Sequence, residues 1–74
     1  MAKKGGSGVY RVTEVIGSSP SSWEDAARQA VETAASTLRD LRIAEVTKLD
    51  VRLDDSGKIA QFRTRLSLSF KYEG

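Results

Sequence analysis

The feature that most constrains the fold of this chain is a strict two-residue alternation from Lys58 to Tyr72. One parity is mainly apolar and the other is polar or charged: Ala60, Phe62, Thr64, Leu66, Leu68, Phe70 and Tyr72 against Gln61, Arg63, Arg65, Ser67, Ser69 and Lys71. A period of two is that of a β-strand and contradicts a helix. At ~3.3 Å per residue the strand would span on the order of 45 Å, which is unusually long for so small a protein.

The N-terminal part contains a short lead and a first strand. Residues 1–8 are glycine-rich, basic and without periodicity, which predicts a flexible lead or a cloning remnant before a single domain over residues 9–74. Val9 to Ile16 alternates and is rich in β-branched residues, and Gly17 follows it. This pattern predicts a first strand.

A helix is predicted after the break Gly17–Ser22. Ser21 with Glu24 forms a capping box, and Ser22 with Asp25 is the alternative frame. Apolar residues then recur at helical spacing: Trp23, Ala26, Ala27, Ala30, Val31, Ala34, Ala35, Leu38 and Leu41. The stripe is mostly alanine, so the helix can lie close to a sheet but buries little area.

A second strand is predicted from Ile43 to Leu53, and it changes parity near Thr47 or Lys48. Ala44 and Val46 keep one parity, whereas Leu49, Val51 and Leu53 keep the other. The slip predicts either a β-bulge or a strand that leaves its own core for another interface. Residues 54–57 (DDSG) have the chemistry of a hairpin turn into the final strand.

The element order β-α-β-β predicts an α+β fold with a three-stranded antiparallel sheet of order 1-3-2, packed on one helix. A helical crossover favours parallel first and second strands, and the hairpin makes the third strand antiparallel to the second. One helix covers only one face of this sheet. The second face is expected to carry Arg63, Arg65, Ser67 and Ser69, joined by Arg11, Thr13 and Glu45.

Composition excludes several classes of function. The chain has no cysteine and no histidine, so thiolate and imidazole metal sites and the usual catalytic bases are absent, and we expect no enzyme. Interspersed charges with a net +2 form no basic patch for nucleic acid. No apolar run spans a membrane, and no signal-peptide core follows Met1, so we expect a cytoplasmic protein. A chain this small favours oligomerisation.

The chain resembles the dodecin family. The resemblance rests on three segments in order over residues 9–74: VYRVTEVIGSSP, LRDLRIAEV and KIAQFRTRLSLSFKYEG. It implies a hollow homododecamer of β-α-β-β subunits that stores or sequesters flavin without turning it over. It further implies that a tryptophan at the start of strand two stacks on the flavin ring and that a glutamine on strand three hydrogen-bonds it.

Both flavin positions depart from that family pattern. Ile43 stands where the tryptophan is expected, and Arg63 stands where the glutamine is expected. Isoleucine has no π face, and arginine only donates hydrogen bonds, so we expect flavin to bind weakly or not at all. The segment SPSSWE and the missing tryptophan resemble the calcium dodecin branch. The positions that match or lie near the implied flavin pocket are Ile43, Glu45, Arg63 and Arg65.

Three further features have alternative interpretations. Asp50, Asp54 and Asp55 could supply oxygen ligands to calcium, although a solvated turn is the simpler interpretation. Arg63 and Arg65 could bind an anion, or they pair with Glu45 or with carboxylates of a neighbouring subunit. Trp23 is favoured as an anchor in the core or an interface over a ligand platform.

Three hypotheses about function follow from these features. The first is a dodecin-like shell that binds a small ligand, the second is an assembly stabilised by a metal or an anion, and the third is an interaction module without a ligand.

Overall fold

The computed structural model describes residues 8–71 of the chain. Strand β1 (Tyr10–Ser19) is followed by helix α1 (Trp23–Ala35), strand β2 (Leu41–Leu53) and strand β3 (Ile59–Lys71). The strands form one sheet in the order β1-β3-β2, and β3 is antiparallel to both neighbours. The predicted α+β fold, element order and sheet order are confirmed. Most of the expected lead (residues 1–7) and residues 72–74, including Tyr72, lie outside the described residues.

Helix α1 packs on one face of the sheet, which we call the inner face. On β3 this face carries Thr64, Leu66 and Leu68, and all three side chains are buried. Leu66 and Leu68 form a small core with Ala34, and partly buried apolar residues surround it: Val15, Ala27, Ala30, Val31, Leu38 and Leu41. The alternation of β3 therefore does place its apolar parity against the helix.

The helix starts in the second of the two predicted frames and ends earlier than predicted. Ser22 is the N-cap, and its hydroxyl accepts a hydrogen bond of 3.0 Å from the backbone N–H of Asp25. The helix ends at Ala35, where the hydroxyls of Ser36 and Thr37 donate to the carbonyls of Thr33 and Ala34. These side-chain bonds compete with helix continuation, so the predicted extension to Leu41 is wrong. Leu41 instead begins β2.

Strand β1 runs three residues past its predicted end and includes Gly17. A Cβ atom at Gly17 would collide with the carbonyl oxygen of Ala26 and would lie 2.9 Å from the Cβ of Ala30. Glycine is needed here because the helix backbone rests directly on the strand. The run that looked like a breaker in the sequence is thus a contact point between helix and sheet.

The predicted parity slip of β2 is a β-bulge. The pairing with β3 shifts register between Val46 and Lys48. Val46 before the shift and Leu49 after it pair with Leu66 and Thr64, which are inner-face residues. One extra residue therefore keeps both apolar segments of β2 on the inner face.

The turn between β2 and β3 has the predicted chemistry. The Asp54 carboxylate accepts hydrogen bonds from the Ser56 N–H, the Ser56 hydroxyl and the Lys58 N–H. Gly57 has a φ of 84°, which a residue with a Cβ adopts only with strain. No helix among residues 8–71 is long and apolar enough to cross a membrane.

The register corrects part of the second face, which we call the outer face. Arg11 pairs with Phe70 and Thr13 pairs with Leu68, so both lie on the inner face. Directly opposite residues of an antiparallel pair share a face. The β1 residues that face outward are instead Val12, Glu14, Ile16 and Ser18. The outward placement of Glu45 was predicted correctly, because Glu45 pairs with Ser67.

Candidate functional site

The outer face is the surface that contains every predicted pocket residue. Arg63, Arg65, Ser67 and Ser69 of β3 form its central line. Each has partners on both neighbouring strands, which gives four cross-strand rows: Ser18–Arg63–Asp50, Ile16–Arg65–Lys48, Glu14–Ser67–Glu45 and Val12–Ser69–Ile43. No element of residues 8–71 covers this face.

Arg63 forms a two-point ion pair with Asp50. Its Nε donates to one carboxylate oxygen at 2.7 Å, and its NH2 donates to the other at 3.2 Å. This guanidinium lowers the pKa of Asp50 below its ordinary value of 3.8, and the carboxylate in turn raises the pKa of Arg63. Asp50 thus occupies the Nε–NH2 edge of the guanidinium, so that this edge of Arg63 is not open to an anion.

Arg65 forms a longer ion pair than Arg63 does. Its NH1 is 3.9 Å from a carboxylate oxygen of Glu14, too far for a hydrogen bond but within ion-pair range. On its other side it pairs in register with Lys48, another cation. The expected partners of the two arginines were Glu45 or carboxylates of a neighbouring subunit. Within the chain the partners are Asp50 and Glu14 instead of Glu45. Glu45 is displaced from Arg65 by one row, because it sits opposite Ser67.

The two positions implied for flavin are far apart in one chain. Ile43 pairs with Ser69, whereas Arg63 lies six residues earlier on β3, a separation of about 20 Å at strand rise. Ile43 is 57% exposed, and its row contains only Val12 and Ser69, so the row has no aromatic ring. Ile43 and Arg63 of one chain therefore do not together fit the ring of a flavin. The assignment of Ile43, Glu45, Arg63 and Arg65 to a ligand pocket stays a prediction.

The three aspartates proposed for calcium do not converge within the chain. Asp50 is held by Arg63, and the Asp54 carboxylate is occupied by turn hydrogen bonds, which lower its pKa. Among residues 8–71 no group of three acidic side chains is arranged to hold a metal ion. A single subunit therefore does not fit calcium through these residues, and their assignment with Asp55 stays a prediction.

Trp23 anchors the start of the helix to the β2–β3 hairpin. Its indole N–H donates a 3.0 Å hydrogen bond to the Asp50 carbonyl, and its ring meets Phe62 edge to face at 5.1 Å. Its own carbonyl accepts a bond of 2.9 Å from the Thr64 hydroxyl. With 37% of Trp23 exposed, the ring also borders an open apolar groove of about 260 Å³ that includes Val46 and Leu49. These contacts agree with an anchoring role.

The sequence prediction missed several members of the outer face, among them the charged residues Glu14, Lys48 and Asp50. Glu14 belongs to the parity of the first strand opposite to Arg11 and Thr13, so the prediction put it on the helix side. The register between β1 and β3, which depends on the fold, places it outward instead. The face of the sheet to which Lys48 belongs was ambiguous, because Lys48 adjoins the bulge. Once the bulge is assigned to Thr47, the parity of the following residues puts Lys48 and Asp50 outward, so that signal was present in the sequence.

Comparison with known proteins gives consistent matches along most of the chain. The dodecin family model matches residues 9–73. A calcium dodecin of Mycobacterium tuberculosis is 46% identical over 63 residues, which are 85% of this chain and 87% of that protein. Its crystal structure, described as having a novel calcium-binding site, has a TM-score of 0.78 at 45% identity and covers 88% of this chain and 91% of its own. Dodecin from Streptomyces coelicolor has a TM-score of 0.83 at 42% identity, covering 90% of this chain and 94% of its own.

Proposed function

The chain belongs to the dodecin family, and from this premise we propose that it is the subunit of a hollow homododecamer that binds or sequesters a small ligand without catalysis. The absence of histidine and cysteine from the sequence supports a non-catalytic role. The cytoplasmic location expected from the sequence is part of the same proposal.

The observation that carries the proposal is the imbalance between buried and exposed apolar side chains. Among the described residues, the buried apolar ones are Ala26, Ala34, Leu66 and Leu68. Many larger apolar residues are exposed: Val9, Tyr10, Val12, Ile16, Trp23, Ile43, Val46, Leu49, Leu53 and Ile59. So small a core contributes little stability, whereas association of copies would bury the exposed residues. The folded subunit should therefore be inseparable from its oligomer.

Native mass spectrometry tests this proposal directly. At micromolar concentration we expect the mass of a dodecamer, in line with the closed symmetry of most homo-oligomers, and no folded monomer. Any bound ligand would appear as added mass in the same spectrum. A folded monomer or dimer as the main species would contradict the proposal.

A second candidate function is an assembly stabilised by calcium, and the similarity to a calcium dodecin favours it. Because residues 8–71 of one subunit bring no three carboxylates together, we infer that calcium takes ligands from more than one copy or from backbone carbonyls. The test is the urea midpoint in calcium, in magnesium and in a chelator. We expect calcium alone to raise it, and Asp55→Asn to abolish the effect while Glu32→Gln leaves it. Equal midpoints in the three conditions would contradict this function.

A further inference from the structure

Two cations lie directly opposite each other on the outer face. Lys48 of β2 pairs in register with Arg65 of β3, so their Cβ atoms are about 4.5–5.5 Å apart. The β-bulge after Val46 produces this pairing, and the hydroxyl of Thr47 in the bulge donates a 3.2 Å hydrogen bond to the Arg65 carbonyl. Like charges in such a cross-strand pair are destabilising. An anion bound between the two side chains would offset this repulsion.

The carboxylates near this row leave positive charge uncompensated. Asp50 is held by Arg63 through two hydrogen bonds, whereas Glu14 lies 3.9 Å from Arg65 and its side chain is 61% exposed. Among residues 8–71, Lys48 forms no ion pair and the Arg65 guanidinium makes no hydrogen bond. Three cations against two carboxylates leave a net charge of one positive unit in this part of the outer face.

We propose that Arg65 and Lys48 bind a phosphate group on the outer face. The guanidinium can donate two parallel hydrogen bonds to two phosphate oxygens, and the ammonium group adds a point charge with further donors. A phosphate monoester carries about −1.5 to −2 charges at pH 7, so it neutralises both cations, whereas a monocarboxylate neutralises one. This inference rests on the proposed function, because it names the chemical class of the small ligand.

The site does not depend on the two positions implied for flavin. Ile43 lies two rows away from Arg65, opposite Ser69, and Arg63 already gives one edge of its guanidinium to Asp50. Phosphate is held by charge and hydrogen bonds, so its binding needs no aromatic ring. The loss of the stacking and ring-bonding residues therefore leaves this site intact.

Glu14 competes with phosphate for Arg65. Its carboxylate is the one within ion-pair range of Arg65 among residues 8–71, but the 3.9 Å separation is too long for a hydrogen bond. Removing this negative charge should therefore favour an anion. Glu14→Gln should lower the Kd for inorganic phosphate by at least about twofold, whereas Glu32→Gln, the same change on the helix, should leave it unchanged.

Isothermal titration calorimetry with inorganic phosphate at low ionic strength tests the site. The wild-type protein should show saturable binding, and Lys48→Gln and Arg65→Gln should each raise the Kd at least about fivefold. Arg65→Lys keeps the charge but loses the planar fork, so its Kd should lie between those of the wild type and Arg65→Gln. Lys58→Gln and Arg39→Gln remove the same charges from exposed positions outside the outer face and should leave the Kd unchanged.

Two further titrations distinguish the possible sources of the phosphate group. Glycerol 3-phosphate that binds as tightly as inorganic phosphate would assign a phosphate monoester, and binding of inorganic phosphate alone would assign the free ion. Glycerol should not bind, and acetate should bind at least about tenfold more weakly than phosphate, because it carries a single charge. Acetate binding as tightly as phosphate would overturn the assignment to phosphate.

Native mass spectrometry of each variant separates this site from the proposed assembly. An assembled wild-type protein without saturable phosphate binding would overturn the site and leave the homo-oligomer standing, and so would equal Kd values for Arg65→Gln and Arg39→Gln. A folded monomer that binds phosphate through Arg65 would contradict the assembly and support the site. If Arg65→Gln does not assemble, the opposite shifts expected for Lys48→Gln and Glu14→Gln decide the question, and their absence would overturn the site.

Discussion

Replacing Gly17 by alanine tests the closest contact between helix and sheet. The added Cβ would lie 2.9 Å from the Cβ of Ala30 and 3.0 Å from the carbonyl carbon of Ala26, and it would collide with the Ala26 carbonyl oxygen. Ordinary contact begins at 3.4 Å, so the 2.9 Å approach to Ala30 alone requires the helix to move away from the strand by at least 0.5 Å. A backbone contact cannot be relieved by a rotamer change.

The displacement acts on the small core that α1 shares with β3, because Ala34 packs there on Leu66 and Leu68. Overpacking of this kind costs about 1–3 kcal/mol, and a backbone collision belongs at the upper end. Alanine also lowers the conformational entropy of the unfolded chain, which stabilises the folded protein by about 0.4–1 kcal/mol. We therefore expect Gly17→Ala to lower the free energy of unfolding by about 2 kcal/mol. The measurement is urea unfolding at several protein concentrations, because association contributes to apparent stability.

Two other glycines provide matched controls. A Cβ at Gly8 would meet only a Tyr10 ring carbon at 3.9 Å, so Gly8→Ala should be nearly neutral. At Gly57 there is nothing within 4 Å but φ is positive, so Gly57→Ala should cost about 1 kcal/mol from strain alone. A Gly17→Ala variant as stable as Gly8→Ala would refute the close packing of α1 on β1.

Three other predictions concern Trp23, stability at acid pH and flavin binding. Trp23→Ala should cost about 2–3 kcal/mol, below the range for fully buried rings since the side chain is 37% exposed, and an unchanged urea midpoint would show that it does not anchor the helix. In the folded protein the pKa values of Asp25, Asp50 and Asp54 lie below the ordinary value of 3.8, so the stability they contribute is present above that pH and is lost as the pH falls through the folded pKa values. The urea midpoint should therefore decrease when the pH is lowered below about 4. A urea midpoint at pH 3 equal to that at neutral pH would contradict this. The protein should quench riboflavin fluorescence weakly or not at all, because its affinity should be roughly two to three orders of magnitude lower than that of a site with both family residues. The double change Ile43→Trp with Arg63→Gln should restore quenching. Strong quenching by the unmodified protein would show that these two residues do not prevent flavin binding.

Much of the fold follows from local patterns in the sequence. The alternation of β3 identifies both the strand and its buried parity, because side-chain direction in a strand is set by the backbone. The helix start follows from the chemistry of capping, and the hairpin turn from Asp54 and Gly57. The parity slip of β2 predicts either a β-bulge or a strand that leaves its own core, and the register shift between Val46 and Lys48 shows that it is a bulge.

The candidate site was predicted only in part. Its β3 residues and Glu45 were placed correctly on the uncovered face. The partners of Arg63 and Arg65, however, are Asp50 and Glu14, which belong to strands on opposite sides of β3. Pairing across strands is non-local, so no pattern within one segment contains it.

Local patterns along the chain were enough to identify the elements, the buried parity of β3 and the chemistry of the turns, because these depend on neighbouring residues. Local patterns did not contain the register of β1, which turns Arg11 and Thr13 inward, or the close approach of α1 to β1 at Gly17. Both depend on contacts between segments distant in sequence: the close approach at Gly17 sets where α1 lies, and the pairing of β1 with β3 sets which side chains share a face. The arrangement of charges on the outer face is a consequence of that register.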